Sequence, residues 1–400
     1  MKSKPIIVAI FLVAVGLIVF FTLNRKNDER PAAAPGPQGV ATAPVTVGRD
    51  VTQISFVYSS EKKDWIESAC NEFERAHPDI KVARVGRGSL DEAQDILDEK
   101  VKPTLWSPAD SLVLNLLESD WDTKFHTPLF SHDGDDAPQS LAITPLVFAI
   151  WEDRANVLMK AAAGKITWDA IRLAVASDQG WPAVGGDASW GFVKLGHTDP
   201  TRSNSGLQAL LLMSLEYYKR TSGLQIADIL DPTYQAWVKD IEKGVTKFET
   251  STGTFMTDMV RFGPSKYDIA VVYENLAISQ LENAQGRWGS LKVYYPGTTI
   301  WSDHPVALVV ADWVTPAQRD AARQLVTFLK SRPVQEQALA YGFRPGDPSV
   351  PVRTQDERNP FVRLAKYGIS VDIPPVATPP AGPVIRNMMM MWSRTVQGSR

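Results

Sequence analysis

From Val51 onward the sequence predicts an α/β protein, and two observations carry that prediction. Short apolar runs alternate with amphipathic helical patterns, the order that builds a sheet covered by helices. Three strand-to-helix junctions also carry small polar residues at the same place: Ser59–Ser60, Ser107, and the stretch Arg202–Gly206. With 400 residues, 44% of them hydrophobic, the chain can bury a large core, and its length favours two lobes over one.

The elements follow in chain order. QISFVYSS is a strand ending in two serines, and KKDWIESACNEFERAH is an amphipathic helix stopped by Pro78. Cys70, the single cysteine, shares the apolar face of that helix with Trp65, Ile66, Ala69 and Phe73. It reads as a small buried hydrophobe, and no internal disulfide can form. IKVARVGRG is a second strand, and SLDEAQDILDEKV a helix with Ser89 as its cap. PTLWSPADSLVLNLLE repeats the order strand, serine, helix around Ser107. After an acidic loop at Asp133–Asp136, ITPLVFAIWED reads as an extended crossover between lobes. TWDAIRLAVAS is helical, and the Gly- and Trp-rich stretch to Trp190 is loop. KLGHTDPTRSNSGLQALLLMSLEYYKR yields a strand ending near His197 and a helix from about Ser205. YDIAVVYENLAI and LKVYYPGTTIWSDHPVALV are strands. TPAQRDAARQLVTFLKS is a helix with Thr315 as cap and Pro316 at its first position. Beyond Asp347 the chain is proline-rich until a final apolar helix around Val384–Val396, where Met388–Met391 serve as adaptable core packing.

The first fifty residues are of another kind. Residues 5–23 carry no charge, and about 19 apolar residues at 1.5 Å rise match a hydrocarbon core of about 30 Å. The run is long for a cleaved signal, and the small-residue stretches Ala32–Ala34 and Ala41–Ala43 are each followed by proline. No cysteine follows for lipid attachment, so one uncleaved transmembrane signal anchor is expected. Lys2 and Lys4 are balanced by Arg25, Lys26 and Arg30, and charge alone does not orient it. Residues 25–50, rich in Pro, Ala and Gly, lack apolar periodicity and form a tether with a reach on the order of 30 Å.

Several functions are excluded or disfavoured. A net charge of −3 offers no basic field for nucleic acid. Ser60 and Lys63 fit an S-x-x-K spacing, but no S-D-N or K-T-G completes that site. Ser302, Asp303 and His304 are adjacent in an extended segment, so their side chains alternate in direction and cannot align as a triad. No G-x-S-x-G elbow occurs, and Ala163-Gly164-Lys165-Ile166 lacks the remainder of a P-loop. His132 with Asp133, Asp135 and Asp136 suggests a cation, but Thr144 stands where an EF-hand needs its glutamate. The five histidines show no paired ligand spacing. No enzyme activity, metal or cofactor is expected.

The polar junctions have two readings. The first turn of a helix leaves N–H groups without partners and carries partial positive charge, so small residues there let a ligand oxygen approach. The same residue types also serve as ordinary N-caps. Ligands of open α/β sheets bind at the carboxyl ends of strands. Hydroxyls gathered there from two lobes would make a neutral, donor-rich pocket suited to a ligand with several oxygens.

On VYSSEKKDW, LWSPADSLVLNLL, ITPLVFAIWE, KLGHTDPTRSNSG, YDIAVVYENLAI and YYPGTTIWSDHPVALV, in that order, the chain resembles the bacterial extracellular solute-binding proteins. The likeness spans roughly Thr52 to Arg344 and lies near the branch of molybdate- and sulfate-binding receptors. It implies the two-lobed type II periplasmic binding protein fold, with ITPLVFAIW and VYYPGTTIW as the two crossover strands at the hinge. One lobe would hold residues 51–143 plus 300–346 and the other 146–296, with 347–400 a C-terminal extension packing on the lobes. Carried over residue by residue, the likeness implies ligand-binding roles for Ser59, Ser60, Ser107, Thr144, Ser203, Asn204, Ser205 and Tyr273. Tyr273 reads equally as a core aromatic at a strand end. Arg202 and Glu274 depart from the neutral donors usual around oxyanions: Glu274 either repels an anion or holds Arg202 or a hydroxyl.

The expected function is capture of a small polar solute, an oxyanion among the candidates, by lobe closure, and its delivery to an ABC permease. The globular domain would lie in the periplasm, held to the inner membrane by a single span. Two alternatives stay open. One is a sensor or scaffold domain of a membrane complex. The other is a carbohydrate receptor using Trp106, Trp181, Trp190 or Trp301 as stacking faces.

Overall fold

The computed structural model describes residues 51–399. In chain order these form β1 (Thr52–Ser59), α1 (Lys63–Ala76), β2 (Ile80–Arg87), α2 (Ser89–Leu97), β3 (Leu105–Ser107) and α3 (Ser111–Phe125). Then come β4 (Gln139–Ser140), β5 (Ala142–Trp151), α4 (Glu152–Ala161), α5 (Trp168–Val175), β6 (Leu195–Gly196) and α6 (Asn204–Tyr217). The middle of the chain continues with α7 (Ile226–Leu230), α8 (Pro232–Glu242), α9 (Thr252–Phe262), β7 (Ile269–Tyr273) and α10 (Glu274–Ala284). It closes with β8 (Leu291–Tyr294), β9 (Trp301–Ser302), β10 (Pro305–Leu308), α11 (Pro316–Leu329), α12 (Arg332–Ala340), β11 (Arg344–Pro345), α13 (Pro360–Arg363) and α14 (Gly382–Thr395).

Two sheets organise the chain. The first runs β2-β1-β3-β10-β4, with β1 parallel to both β2 and β3 and β10 antiparallel to its neighbours. A strand flanked on both sides and covered on both faces is apolar where it is covered; Ile54, Phe56, Val57 and Tyr58 on β1 are all buried. One apolar cluster joins Ile54, Phe56 and Leu105 to α1, α11 and α12, while Val57 and Trp106 pack with α2 and α3 on the other face. Within α1, Trp65, Ile66, Ala69, Cys70 and Phe73 are the buried residues, the three-and-four spacing of a helix face.

The second sheet runs β11-β5-β7-β6, with β8 and β9 also on β5. Its core draws on α4 to α6, α8 to α10 and the tail: Phe361, Leu364, Ile369, Val384, Met388, Met391 and Trp392 belong to the same apolar cluster as Phe148 and Val271. The two sheets are joined by antiparallel crossings. Thr144 pairs with Ser302 and Pro145 with Trp301, and Thr299 Oγ1 donates to Leu146 O at 2.6 Å.

Three local expectations change. Ser89 is not a cap: Gly88 holds that position, and Ser89 Oγ accepts from Ala109 N at 3.0 Å. YDIAVVYENLAI is a strand only to Tyr273, and Glu274 opens a helix instead. In the methionine run, Met388 and Met391 are buried but Met390 is 60% exposed. Thr315 caps α11 as expected, in a reciprocal box with Gln318 and with Pro316 next to it. Among the described residues no helix is long and apolar enough to cross a membrane. The expected anchor at 5–23 and tether at 25–50 lie outside the described residues.

Candidate functional site

The carboxyl ends of β1 and β3, the start of α6, the end of β7 and the crossing strands converge between the sheets. Their polar side chains are buried there: Ser59, Lys62, Ser107, Thr144, Asn204, Gln208, Tyr273, Asn275, Ser302 and His304. A single turn of 3-10 helix at Ser60–Lys62 carries Glu61 and Lys62 inward. Lys62 Nζ donates to Ser59 Oγ, to Ser107 O at 2.9 Å and to Pro108 O at 3.1 Å, and lies 3.2 Å from His304 Nδ1. From the other lobe, Gln208 Nε2 donates to Asp110 Oδ2 at 2.6 Å and Ser302 Oγ at 2.9 Å. Asn204 Nδ2 donates to Tyr273 OH at 3.0 Å, and Asn275 Nδ2 to Glu61 O at 3.2 Å.

This network is incomplete. Glu61 Oε1, Ser107 Oγ, Asn204 Oδ1, Gln208 Oε1, Asn275 Oδ1 and His304 Nε2 are buried without a hydrogen-bond partner. An unpaired buried polar atom costs about 1–3 kcal/mol, so water or a polar ligand at this junction would satisfy atoms that the protein itself leaves unpaired. Outside this network Arg202 makes a two-pronged ion pair, its guanidinium gripping Asp91 at 3.0 and 2.9 Å.

A family model for bacterial extracellular solute-binding proteins matches residues 54–344. The chain belongs to that family. Solved structures with the same fold include a periplasmic thiamin binding protein, at 15% identity over 91% of this chain and 99% of that one, TM-score 0.59. Another is the periplasmic binding protein AfuA from Actinobacillus pleuropneumoniae with fructose-6-phosphate bound: 15% identity, 86% and 99% coverage, TM-score 0.55. A third is the sulfate-binding protein SubI from Mycobacterium tuberculosis, at 16% identity, 87% and 99% coverage and TM-score 0.50. At such identities they establish the fold alone. No curated protein sequence matches the chain.

In this solute-binding protein the residues expected from sequence divide into those facing the junction and those held elsewhere. Ser107, Asn204 and Tyr273 stand in the network described above. Ser59 sits on Lys62, and Ser60 Oγ meets Ser251 Oγ of the other lobe at 2.8 Å. Thr144 Oγ1 accepts from Asn275 N at 3.2 Å. Ser205 Oγ is engaged by Thr198 and Thr252 at 2.7 and 2.6 Å, and Ser203 Oγ lies 3.4 Å from Thr252 Oγ1. None of these serines caps a helix through its side chain: Ser59 and Ser203 occupy cap positions without that bond, and α3 is capped by Asp110. Arg202 neither faces the junction nor meets Glu274. Glu274 is instead bound in two prongs by Arg344, at 2.9 and 2.8 Å, and by the Tyr295 hydroxyl.

Of the proposed stacking faces, Trp106 and Trp181 are fully buried, with Nε1 bonded to Glu92 and Asp268. Trp190 packs edge-on against Trp181 and lies under the Arg154 guanidinium at 3.9 Å. Arg344 lies 5.5 Å from the Trp301 ring. The S-x-x-K pair also dissolves, because Lys63 points to solvent while Lys62 turns inward. Among the described residues no cluster of His, Cys, Asp and Glu is placed to hold a metal ion.

Glu61, Lys62, Asp110, Gln208, Asn275, Ser302 and His304 were not among the expected site residues. Gln208 had a usable signal, one helical turn beyond Asn204 on the same face. His304 and Lys62 had none, being 242 residues apart in the chain.

Burial and the nearby Asp303 push the Asp110 carboxyl up to about 7. A carboxyl raised in the folded state adds stability below its unfolded range and loses it as pH rises through about 7. Lys62, lowered by burial to about 8, exerts its effect at higher pH. The thermal midpoint is expected to fall from about pH 4, where an unfolded carboxyl ionises, to about pH 7 and to level off above it, by on the order of 2 °C for each kcal/mol lost, and Asp110→Asn should flatten that fall. Equal slopes in the two proteins would show that Asp110 does not titrate there.

Proposed function

We propose that this solute-binding protein captures a small polar solute between its lobes and delivers it to an ABC-type permease. The supporting observation is the set of unpartnered buried polar atoms contributed by both lobes at their junction. A solute that satisfies them binds the closed arrangement better than the open one and so shifts the population toward closure. Ser59, Ser60, Ser107, Thr144, Ser203, Asn204, Ser205 and Tyr273 line or brace this junction, joined by Glu61, Gln208, Asn275 and His304.

The test is a thermal-shift screen of oxyanions, sugars, amino acids and amines, since a ligand of the native state raises the midpoint. A hit should lose at least tenfold in affinity in the double variant Ser107→Ala, Asn204→Ala. Undiminished affinity there would place the site elsewhere. We further propose that residues 5–23 anchor the domain on the extracytoplasmic face of the inner membrane, with 25–50 as tether. Release of the full chain by alkaline carbonate washing would refute the anchor.

A further inference from the structure

The unpartnered atoms at the lobe junction are mostly acceptors. Gln208 Nε2 is committed to Asp110 Oδ2, Ser302 Oγ and Trp301 O. Turning the amide round would set its oxygen against a carboxylate and a carbonyl, so Oε1 is the atom left over. Asn275 is held the same way, with Nδ2 on the Glu61 carbonyl. Asn204 Nδ2 serves Tyr273 OH and the Asp110 carboxyl. Three amide oxygens are thus buried without donors, beside Glu61 Oε1. His304 Nε2 is the contrary case. Its Nδ1 lies 3.2 Å from the Lys62 ammonium and 3.4 Å from Glu61 Oε1; an ammonium has no lone pair to offer, and an Nδ1 that accepts from it leaves the hydrogen on Nε2. Ser107 Oγ can play either role.

The positive charges near the site are already engaged. Lys62 has three hydrogens and four acceptors around it: Ser59 Oγ, Ser107 O, Pro108 O and His304 Nδ1. Arg202 is held by Asp91 and Arg344 by Glu274. Against that single buried ammonium stand the carboxyls of Glu61, Glu92 and Asp303, with Asp110 next to Asp303. Burial raises Glu61, Glu92 and Asp110 alike, as expected of carboxyls short of counter-charge.

Resting on the receptor reading above, we propose that the solute is a small organic cation of the primary ammonium or amidinium class. Its N–H groups would be received by the oxygens of Gln208, Asn275, Asn204 and Glu61, with one acceptor on the solute for His304 Nε2. An oxyanion would instead meet carbonyl and carboxylate lone pairs, and that repulsion selects against it.

The experiment uses the full chain in thermal-shift and calorimetric titrations with three probe sets. These are primary amines and amidines of two to six carbons, sulfate with molybdate, and glucose with maltose. The expected result is binding by a member of the first set, weakened tenfold or more in both Glu61→Gln and Gln208→Met. The second variant keeps side-chain length, and it guards against a folding defect in the first. Amine binding unchanged in both folded variants overturns the assignment. Binding by an oxyanion or a sugar alone also overturns it while leaving the receptor reading standing. No binding by any probe overturns this inference, and failure of the amino acids of the wider screen as well removes the receptor reading with it.

Discussion

Gly88→Ala is expected to hold the lobes apart while leaving each of them folded. A Cβ at Gly88 would sit 2.7 Å from Thr250 O and 2.9 Å from Arg202 O, both backbone atoms of the opposite lobe. The Gly88 backbone itself, at φ −72 and ψ 131, accepts any side chain. Overpacking of this kind costs about 1–3 kcal/mol when neighbours must shift, and here the easiest shift is a rotation of one lobe away from the other. Small-angle scattering should report a larger radius of gyration for Gly88→Ala, with solute affinity down tenfold or more and a cooperative melt retained. Gly206→Ala is the contrast: its Cβ would meet Thr198 O at 2.1 Å, inside one lobe, so the fold itself should suffer. Identical scattering from wild type and Gly88→Ala would mean that the close approach at Gly88 does not govern closure.

Arg344→Met is expected to be the most destabilising of the substitutions considered, by about 3–5 kcal/mol, because it strands a buried charge. Glu274 is fully buried, and Arg344 supplies it with two hydrogen bonds while also donating to Ser370 O and Val371 O of the C-terminal extension at 2.7 Å each. One side chain therefore neutralises the start of α10 and ties the tail to it. The double variant Arg344→Met, Glu274→Leu should recover much of the loss, since replacing both members of a buried pair by apolar residues is often close to neutral. Urea unfolding of the two variants measures this. A single variant within 1 kcal/mol of wild type would show that the pair is dispensable.

The alternation of strands and helices was legible because hydrophobic periodicity is a local property of the chain. It placed β1, α1, β5, α6, α11 and α14 close to where they stand. It failed at YDIAVVYENLAI, where a short apolar run suits strand and helix equally and only the packing of α10 on β5 and β8 decides. Serines at strand-to-helix junctions suit caps and ligand donors alike, because both uses favour the same side chains. The structure gives the caps of α2 and α3 to Gly88 and Asp110, which leaves Ser89 to brace Ala109 and the Ser107 hydroxyl without a partner in the junction. Arg202 stood near the expected cleft in sequence, but it faces outward to Asp91 because the loop before α6 runs along the rim.

The chain by itself determined the α/β class and the family, since both are written in contiguous stretches of residues. Only the tertiary structure decided that Glu61, Lys62, Asp110, Gln208, Asn275 and His304 share that junction, that Arg344 and not Arg202 answers Glu274, and that acceptors outnumber donors there. The reason is physical. Which polar atoms remain without partners is a property of the closed packing of two lobes, and no stretch of sequence records it.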